Sequence, residues 1–489
     1  MWKYWPTLKL QEEIGNYELD FLEKAIPEIE GISADSFIAK KSKLATIVEC
    51  LKDHNYFRNK INLEKCLWFV PRGDIDKLCE QINYKGKKDN YKKLSSKILD
   101  NEKNYELFIS FFNLDKRFLS KDNTTQDTFF DNYPASPINP KIISSPFKNL
   151  KSFQYECYSN CQKLLDPPLS RTILQMPTGS GKTRTASEVI SGHLNEAGIK
   201  QVIWLANTRE LCEQAIQCMS EVWDHIGRKT CRFNRLWDSN INKIPSWIEN
   251  ECVFSVMSLQ SGWSELRKNK DDFYKKFSNT TLIIVDEAHI AVAQTYKEVI
   301  ENLVIASHPR VLGLTATPGR TIQEDTYNLS ELFNYNITSL NDPDKKRDNT
   351  IAYLRSINVM SKAEHHEIIY ENSFKISEKE KHNIADGKDY SDAILKKIGE
   401  DVYRTISIIN ELRKQLDQKR KIILFAPSVQ NSFLTSSILT FLNYKSVHVS
   451  GKTPPKTRDL LIDKYLNDEY QIMCNYGVLA TGFDAPKVD

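Results

Sequence analysis

The 489-residue chain is 40% hydrophobic and 27% charged, the balance of an ordinary folded protein rather than a disordered or fibrous one. Its length suits roughly two to four domains, each large enough for its own core. The net charge of +3 excludes a strongly basic or acidic surface overall, but leaves room for a local basic groove.

The ten cysteines are scattered and form no C-x-x-C pair, and Cys157 and Cys161 lack partners at zinc spacing. They read as reduced thiols in a cytoplasmic protein. The start, MWKYWPTLKLQEEIG, holds no apolar core of roughly 7–15 residues, so no signal peptide is expected. No apolar run approaches the roughly 18 residues of a membrane span, so no membrane partner is expected either.

Residues 1–145 are expected to form a mainly helical domain. Leu44, Ile47, Val48 and Leu51 fall on one helix face, as do Leu94, Ile98, Leu107, Phe108, Phe111 and Phe112. Lys85, Lys87, Lys88, Lys92, Lys93 and Lys97 make a basic stretch, with Tyr84 and Tyr91 beside or within it. A solvated helix face is the plainer reading, and a face for nucleic acid the alternative. The residue pattern assigns this region no chemistry; a protein partner could dock there. Residues 123–147, punctuated by Pro134, Pro137, Pro140 and Pro146, read as a linker or extended arm.

From about 148 the rhythm changes to alternating strands and helices. A helix opens near Leu150 and carries Gln154. Then comes RTILQMPTGSGKT (171–183), a strand, a Gly/Ser/Thr loop and a helix start. Gly179 and Gly181 let backbone N–H groups close around an anion, helped by the helix dipole. Lys182 can reach the phosphates of a nucleotide, and the Thr183 hydroxyl can ligate Mg²⁺. Met176 departs from the general pattern, which has glycine there, so the loop alone could be a mere turn. Further strands are expected at 201–206, 252–257, 281–285 and 311–314. They lead into Thr208-Arg209, Ser258-Leu259-Gln260, Asp286-Glu287-Ala288-His289 and Thr315-Ala316-Thr317-Pro318. Buried parallel strands wound with helices bind ligands beyond their carboxyl ends, where every one of these motifs sits. Asp286 would hold Mg²⁺ and Glu287 would orient or deprotonate water, against the alternative of an acidic helix cap. His289 is placed to relay between those carboxylates and Thr315 and Thr317, which could otherwise cap a turn. Residues 373–420 read as charged helix. A second alternating region has strands at 421–425, 446–449 and 471–474, and ends in Leu479-Ala480-Thr481-Gly482-Phe483-Asp484.

These motifs resemble, in order and spacing, those of superfamily-two DEAH-box helicases and translocases: MPTGSGKT, ANTRE, DEAH, TATP, ILFAPS and LATGFD. GLTATPGR and VLATGFDAPKVD look most like the branch of restriction-enzyme motor subunits and excision-repair helicases. The superfamily often lacks the first loop glycine, which accounts for Met176. The resemblance covers about 148–489. It implies an α/β fold of two RecA-like doubly wound parallel-sheet domains, at 148–340 and 350–489, the second incomplete. It implies ATP and Mg²⁺ as cofactors, with Gln154 reading adenine and Pro177, Thr178, Gly179, Ser180, Gly181, Lys182 and Thr183 cradling the phosphates. Gly482 and Asp484 would face both nucleotide and strand. Thr208, Arg209, Ser258, Gln260, Ser428 and Thr481 would touch the backbone of a nucleic acid, DNA more than RNA, independently of sequence. The family's later Gln-x-x-Gly-Arg-x-x-Arg run does not occur before Asp489. The expectation is therefore a truncated second domain with an exposed sheet edge and slow turnover, since an arginine finger contributes about 10³–10⁵ in rate. A motor acting in defence or repair is the leading reading. An ATP-gated nucleic-acid sensor that binds without unwinding is the alternative.

Overall fold

The computed structural model describes residues 1–33, 40–52, 55–87, 90–119, 130–133, 147–166, 170–237, 252–289, 293–316, 329–340, 350–370, 376–385, 390–479 and 488. They fall into two compact bodies. One is built from the described residues of Thr125–His365, the other from those of Met1–Thr124 and His366–Thr481.

The larger sheet holds β1 (Phe130–Tyr133), β2 (Arg171–Gln175), β3 (Gln201–Ala206), β4 (Cys231–Leu236), β5 (Cys252–Ser258), β6 (Thr280–Val285), β7 (Arg310–Thr315) and β8 (Ile337–Ser339). Their order is β1-β4-β5-β3-β6-β7-β2-β8. Every neighbouring pair is parallel except β1 with β4. The central strands are apolar at successive positions because both faces are covered. Val202, Trp204, Leu282, Ile284 and Leu312 point to one face, where Phe153, Ala186, Val189, Met219 and Trp223 of three helices meet them. Ile203, Leu205, Ile283, Val285 and Val311 point to the other, against Phe273, Phe277, Val299, Ile300 and Leu303. This is the doubly wound sheet that the alternating pattern predicts, with the RecA-like fold that the family resemblance implies. The pattern misses β4 and β8. It also misses β1, which lies inside the stretch read as a linker or arm and pairs antiparallel on the sheet edge.

The smaller sheet is β9 (Ile422–Phe425), β10 (Ser446–Ser450) and β11 (Ile472–Tyr476), ordered β10-β11-β9 and parallel. Helices Val402–Asp417 and Val429–Phe441 cover it. Residues 1–119 form seven helices and short 3₁₀ turns among the described residues. Their apolar faces share one continuous cluster with the smaller sheet, running from Trp2, Phe57 and Phe108 to Ile409, Leu434, Ile438 and Ile472. Three bonds stitch the same junction: Ser437 Oγ donates to the Cys50 carbonyl, Arg413 to the Ile29 carbonyl and Gln430 to Glu18. Among the described residues no helix is long and apolar enough to cross a membrane. All ten cysteines are free thiols, nine of them buried.

Candidate nucleotide site

The site lies beyond the carboxyl ends of β2, β7 and β6, which are consecutive in the larger sheet. After β2 the chain turns through Pro177–Gly181. Gly179 (φ +79°) and Gly181 (φ +88°) take left-handed conformations that a side chain would strain. The Ser180 hydroxyl donates to the Pro177 carbonyl at 2.6 Å and closes the loop, leaving Thr178 and Gly179 exposed. Gln154 holds the loop from behind. Its Nε2 donates to the Ser180 carbonyl (3.0 Å) while its Oε1 accepts from the Lys151 N–H (2.8 Å). One N–H and one lone pair of that amide remain for a ligand. A Cβ on Gly181 would fall 2.2 Å from Gln154 Nε2, so glycine is required there on two counts.

The helix Lys182–Asn195 begins at Gly181 with no side-chain cap. Its first-turn N–H groups therefore lack the partner that a capping hydroxyl provides elsewhere, which suits an anion. Three other strand-end helices differ. Thr208 caps Arg209–Ile226 by accepting from the Leu211 N–H (3.3 Å), and Ser258 caps Leu259–Lys268 by accepting from Ser261 (3.2 Å). In the smaller body Ser428 caps Val429–Phe441 by accepting from Asn431 (3.1 Å). Three of the four hydroxyls expected against nucleic acid thus have a structural task. Capping uses a lone pair and leaves the O–H free to donate in Thr208 and Ser428, while Ser258 donates to Ser261 Oγ. Thr208 and Ser258 sit beyond neighbouring strands, because Ala206 and Ser258 are register partners. Arg209 is half-buried and Gln260 exposed.

Opposite the loop, Asp286 follows β6 and is 5% exposed. Burial lifts its carboxyl to about 6; Lys182 opposes the shift and Glu287 adds to it. The Asp286 carboxylate accepts from the Glu287 N–H (2.9 Å), in a turn where Glu287 has φ +47°. Lys182 Nζ stands 3.4 Å from Glu287 Oε1, with both side chains about nine-tenths buried. Two buried carboxylates therefore face one ammonium, and the excess negative charge suits a cation. Asp286 and the half-buried Thr183 would hold it. Among the described residues no cluster of three His, Cys, Asp or Glu offers a ready-made cage, so substrate and water would supply the other ligands. His289 Nδ1 lies 3.3 Å from Glu287 Oε2 and 3.4 Å from Thr315 Oγ1. Thr315 in turn is tied to the loop, its carbonyl accepting from the Met176 N–H (3.0 Å).

Structure thus gathers Gln154, 177–183, Asp286, Glu287, His289 and Thr315 in one place. Thr317, Thr481, Gly482 and Asp484 lie outside the described residues. Two contacts escaped the sequence reading. Arg184 reaches from the loop helix to the Lys148 carbonyl (2.7 Å) and lies 5.0 Å over the Phe147 ring. Tyr296 donates to Asn207 (2.7 Å) at the end of β3. Nothing local in the sequence signals either pairing.

Residues 147–320 match the family described as Type III restriction enzyme, res subunit, and residues 404–489 match the Helicase conserved C-terminal domain. A 51.5 kDa protein of Lactococcus phage (isolate 7-9) is 25% identical over 314 residues, covering 64% of this chain and 56% of the phage protein. The putative mitochondrial ATP-dependent helicase irc3 of Schizosaccharomyces pombe is 22% identical over 360 residues, covering 72% and 53%. The ATP-dependent DNA helicase MPH1 of Candida albicans is 26% identical over 216 residues, covering 40% and 17%. The chain spans about half the length of the first two relatives.

Proposed function

Because the chain belongs to the superfamily-two helicases, on the branch of restriction-enzyme motor subunits and repair helicases, we propose that it hydrolyses ATP to move along nucleic acid. The observation that carries the reading is the Lys182–Glu287 pair at 3.4 Å beside buried Asp286, on a loop whose helix has no side-chain cap. With a triphosphate in the loop, the Lys182 ammonium exchanges Glu287 for phosphate oxygens. Glu287 is then free to accept a proton from the attacking water. Mg²⁺, when bound at Asp286 and Thr183, supplies neutralisation of phosphate charge. Gln154 keeps the loop closed and offers its remaining amide valences to the base. His289 links Glu287 to Thr315 and so carries the state of the phosphate site into β7, whose end leads to the next motif. Thr208 and Ser428 present hydroxyl donors that suit phosphate oxygens of a strand.

The substrate we favour is DNA. Relatives named as DNA helicases, from Candida albicans and Pyricularia oryzae, support this, although a mouse relative is named as an RNA helicase. Defence or repair is the setting that the restriction-enzyme match and the named DNA helicases support. The free, buried thiols suit the reducing cytoplasm. The test is ATP hydrolysis against single- and double-stranded DNA and RNA over a range of salt. We expect stimulation, strongest with DNA, falling as salt rises and absent in Lys182→Ala. Hydrolysis indifferent to every nucleic acid would overturn the motor reading, and stimulation by RNA alone would overturn the choice of DNA.

A further inference from the structure

Residues 1–119 carry a feature that the nucleotide site does not use. Trp68, at the end of the helix Lys60–Trp68, is 70% exposed, and Ile61 on the same helix is 76% exposed. Tryptophan so far out of the core is a poor outcome for folding and marks a surface made for contact. The Tyr91 ring, at the start of the helix Tyr91–Leu99, stands edge-on to Trp68 with centroids 5.8 Å apart, fixing the indole in place. The two rings and Ile61 line an open groove of about 900 Å³, with Lys65, Lys87 and Lys92 around it. Two acidic residues also line it, but both are engaged. Glu12 pairs with Lys9 at 2.5 Å, and Glu64 accepts from the Ser95 hydroxyl at 3.2 Å. Lys65 is likewise paired, with Glu13. Lys87 and Lys92 are exposed, and among the described residues neither meets a carboxylate.

A rigid, exposed indole flanked by two uncommitted ammonium groups matches a splayed nucleotide, with a base on the aromatic face and phosphates on the lysines. A protein helix would need a broader apolar strip and would leave those charges unanswered. We infer that this groove is a second binding site for single-stranded nucleic acid, separate from the nucleotide site and outside the two stretches that match known families. A duplex fits poorly, because its bases are stacked away from an aromatic platform. The site would hold a strand whatever nucleotide is bound, tethering the chain between steps. The inference rests on the reading of the chain as a nucleic-acid motor.

The experiment measures binding of fluorescein-labelled oligo-dT and of a duplex of equal length to the 489-residue protein by anisotropy, without nucleotide, over a salt series. Wild type binds oligo-dT more tightly than the duplex. Trp68→Ala weakens oligo-dT binding by roughly 10-fold or more, while Trp68→Phe, which keeps a stacking ring, stays within about 3-fold of wild type. Lys87→Ala/Lys92→Ala lowers the salt slope of log K by about 1.4, two phosphates' worth for a single strand. All three variants bind ATP as wild type does, and an unshifted calorimetric transition of the smaller body, which carries the groove, reports that they fold. Unchanged oligo-dT binding in both Trp68→Ala and the double lysine variant overturns the inference and leaves the motor reading standing. So does an effect of Trp68→Ala confined to binding of an acidic, aromatic-rich peptide, which would assign the groove to a protein. Wild type that binds no oligonucleotide in any nucleotide state overturns both.

Discussion

The two sheets share a parallel strand-to-helix build and end the first of their parallel strands differently. In the larger body β2 runs into a loop with two left-handed glycines and a helix without a side-chain cap. In the smaller body β9 runs through Ala426-Pro427-Ser428 into a helix that Ser428 closes. The larger sheet then sets two buried carboxylates opposite its open helix end, on a strand one removed from the loop. A parallel sheet thus provides helix N-termini in quantity, and an end suits an anion where a missing cap and a loop of left-handed glycines coincide. The comparison extends to the cores. The larger sheet buries its strands between helices interleaved with them in sequence. The smaller one completes its cover with helices from 1–119, hundreds of residues away.

The sharpest break in the comparison comes from chemistry. Lys182→Ala should cost about 10²–10³ or more in ATP turnover and weaken ATP binding, because the loop loses its only aimed ammonium among the described residues. Glu287→Gln should lose turnover to a similar degree yet keep ATP binding, since the loop and helix end remain. Equilibrium binding of a fluorescent ATP analogue, measured beside single-turnover hydrolysis, separates the two. A Glu287→Gln variant with wild-type turnover would remove Glu287 from the chemistry.

The shared core of the smaller body is tested by truncation within it. Ile409 is fully buried between the helices of 1–119 and those of the smaller sheet. Ile409→Ala should destabilise that body by about 2–5 kcal/mol. If the two bodies unfold separately, only the transition of the smaller body should move in calorimetry, and ATP binding should survive.

Acid separates the bodies less, because each carries a buried neutral histidine. Burial pushes His193 down to about 4, with Lys200 and Arg310 adding to the effect and Glu196 opposing it. Its Nε2 shares a hydrogen with Thr281 Oγ1 at 2.9 Å, and Arg310 approaches Nδ1 at 3.3 Å, which fits an imidazole protonated on Nε2 alone. Burial also takes His448 down to about 4. An unfolded histidine titrates near 6.5, so the unfolded chain binds more protons between 6.5 and 4. The stability contributed by each neutral ring is complete above about pH 6.5 and is lost as pH falls toward 4. The loss reaches about 3 kcal/mol per histidine. His193→Gln should flatten the acid limb of the larger body and His448→Gln that of the smaller, in urea melts at pH 7 and pH 5. Asp286 works in the opposite sense. Its carboxyl is raised, so the folded apoprotein holds the proton more tightly and loses stability as pH climbs through about 6. Asp286→Asn should therefore raise the melting temperature of the apoprotein at pH 7.5, with the gain shrinking as pH falls from about 6 and gone by about pH 4, while abolishing Mg²⁺-dependent hydrolysis.

How much of this could be read from the chain follows from the range of each interaction. The loop, the carboxylates after β6 and the central strands were legible because their signals are local: glycines at fixed offsets, and apolar runs of strand length. β4 was not, because CRFNRL carries Asn and two Arg, and its buried Asn234 donates through Nδ2 to Ser255 of the neighbouring strand, at 3.1 Å, a partner no local pattern shows. β1 was hidden in a polar, proline-punctuated stretch whose partner lies a hundred residues on. Lys182 and Glu287 could be paired only through a family resemblance, since 105 residues separate them. Trp68 gave no sign of its exposure, because tryptophan on a helix face ordinarily reads as core.

The smallest expected effect bears most directly on the comparison of helix ends. Ser428→Ala removes the cap of Val429–Phe441 and should cost about 1 kcal/mol in the smaller body. ATP binding should not change, because an uncapped helix end without left-handed glycines has no cradle to close around a phosphate. The informative partner variant is Gly179→Ala, where nothing crowds the added methyl but φ is +79°. It should cost a similar amount of stability and yet weaken ATP binding, since the strain falls on the loop that must hold the anion. If both variants bind ATP as wild type does, the open helix end alone, rather than the loop geometry in front of it, is what selects the nucleotide.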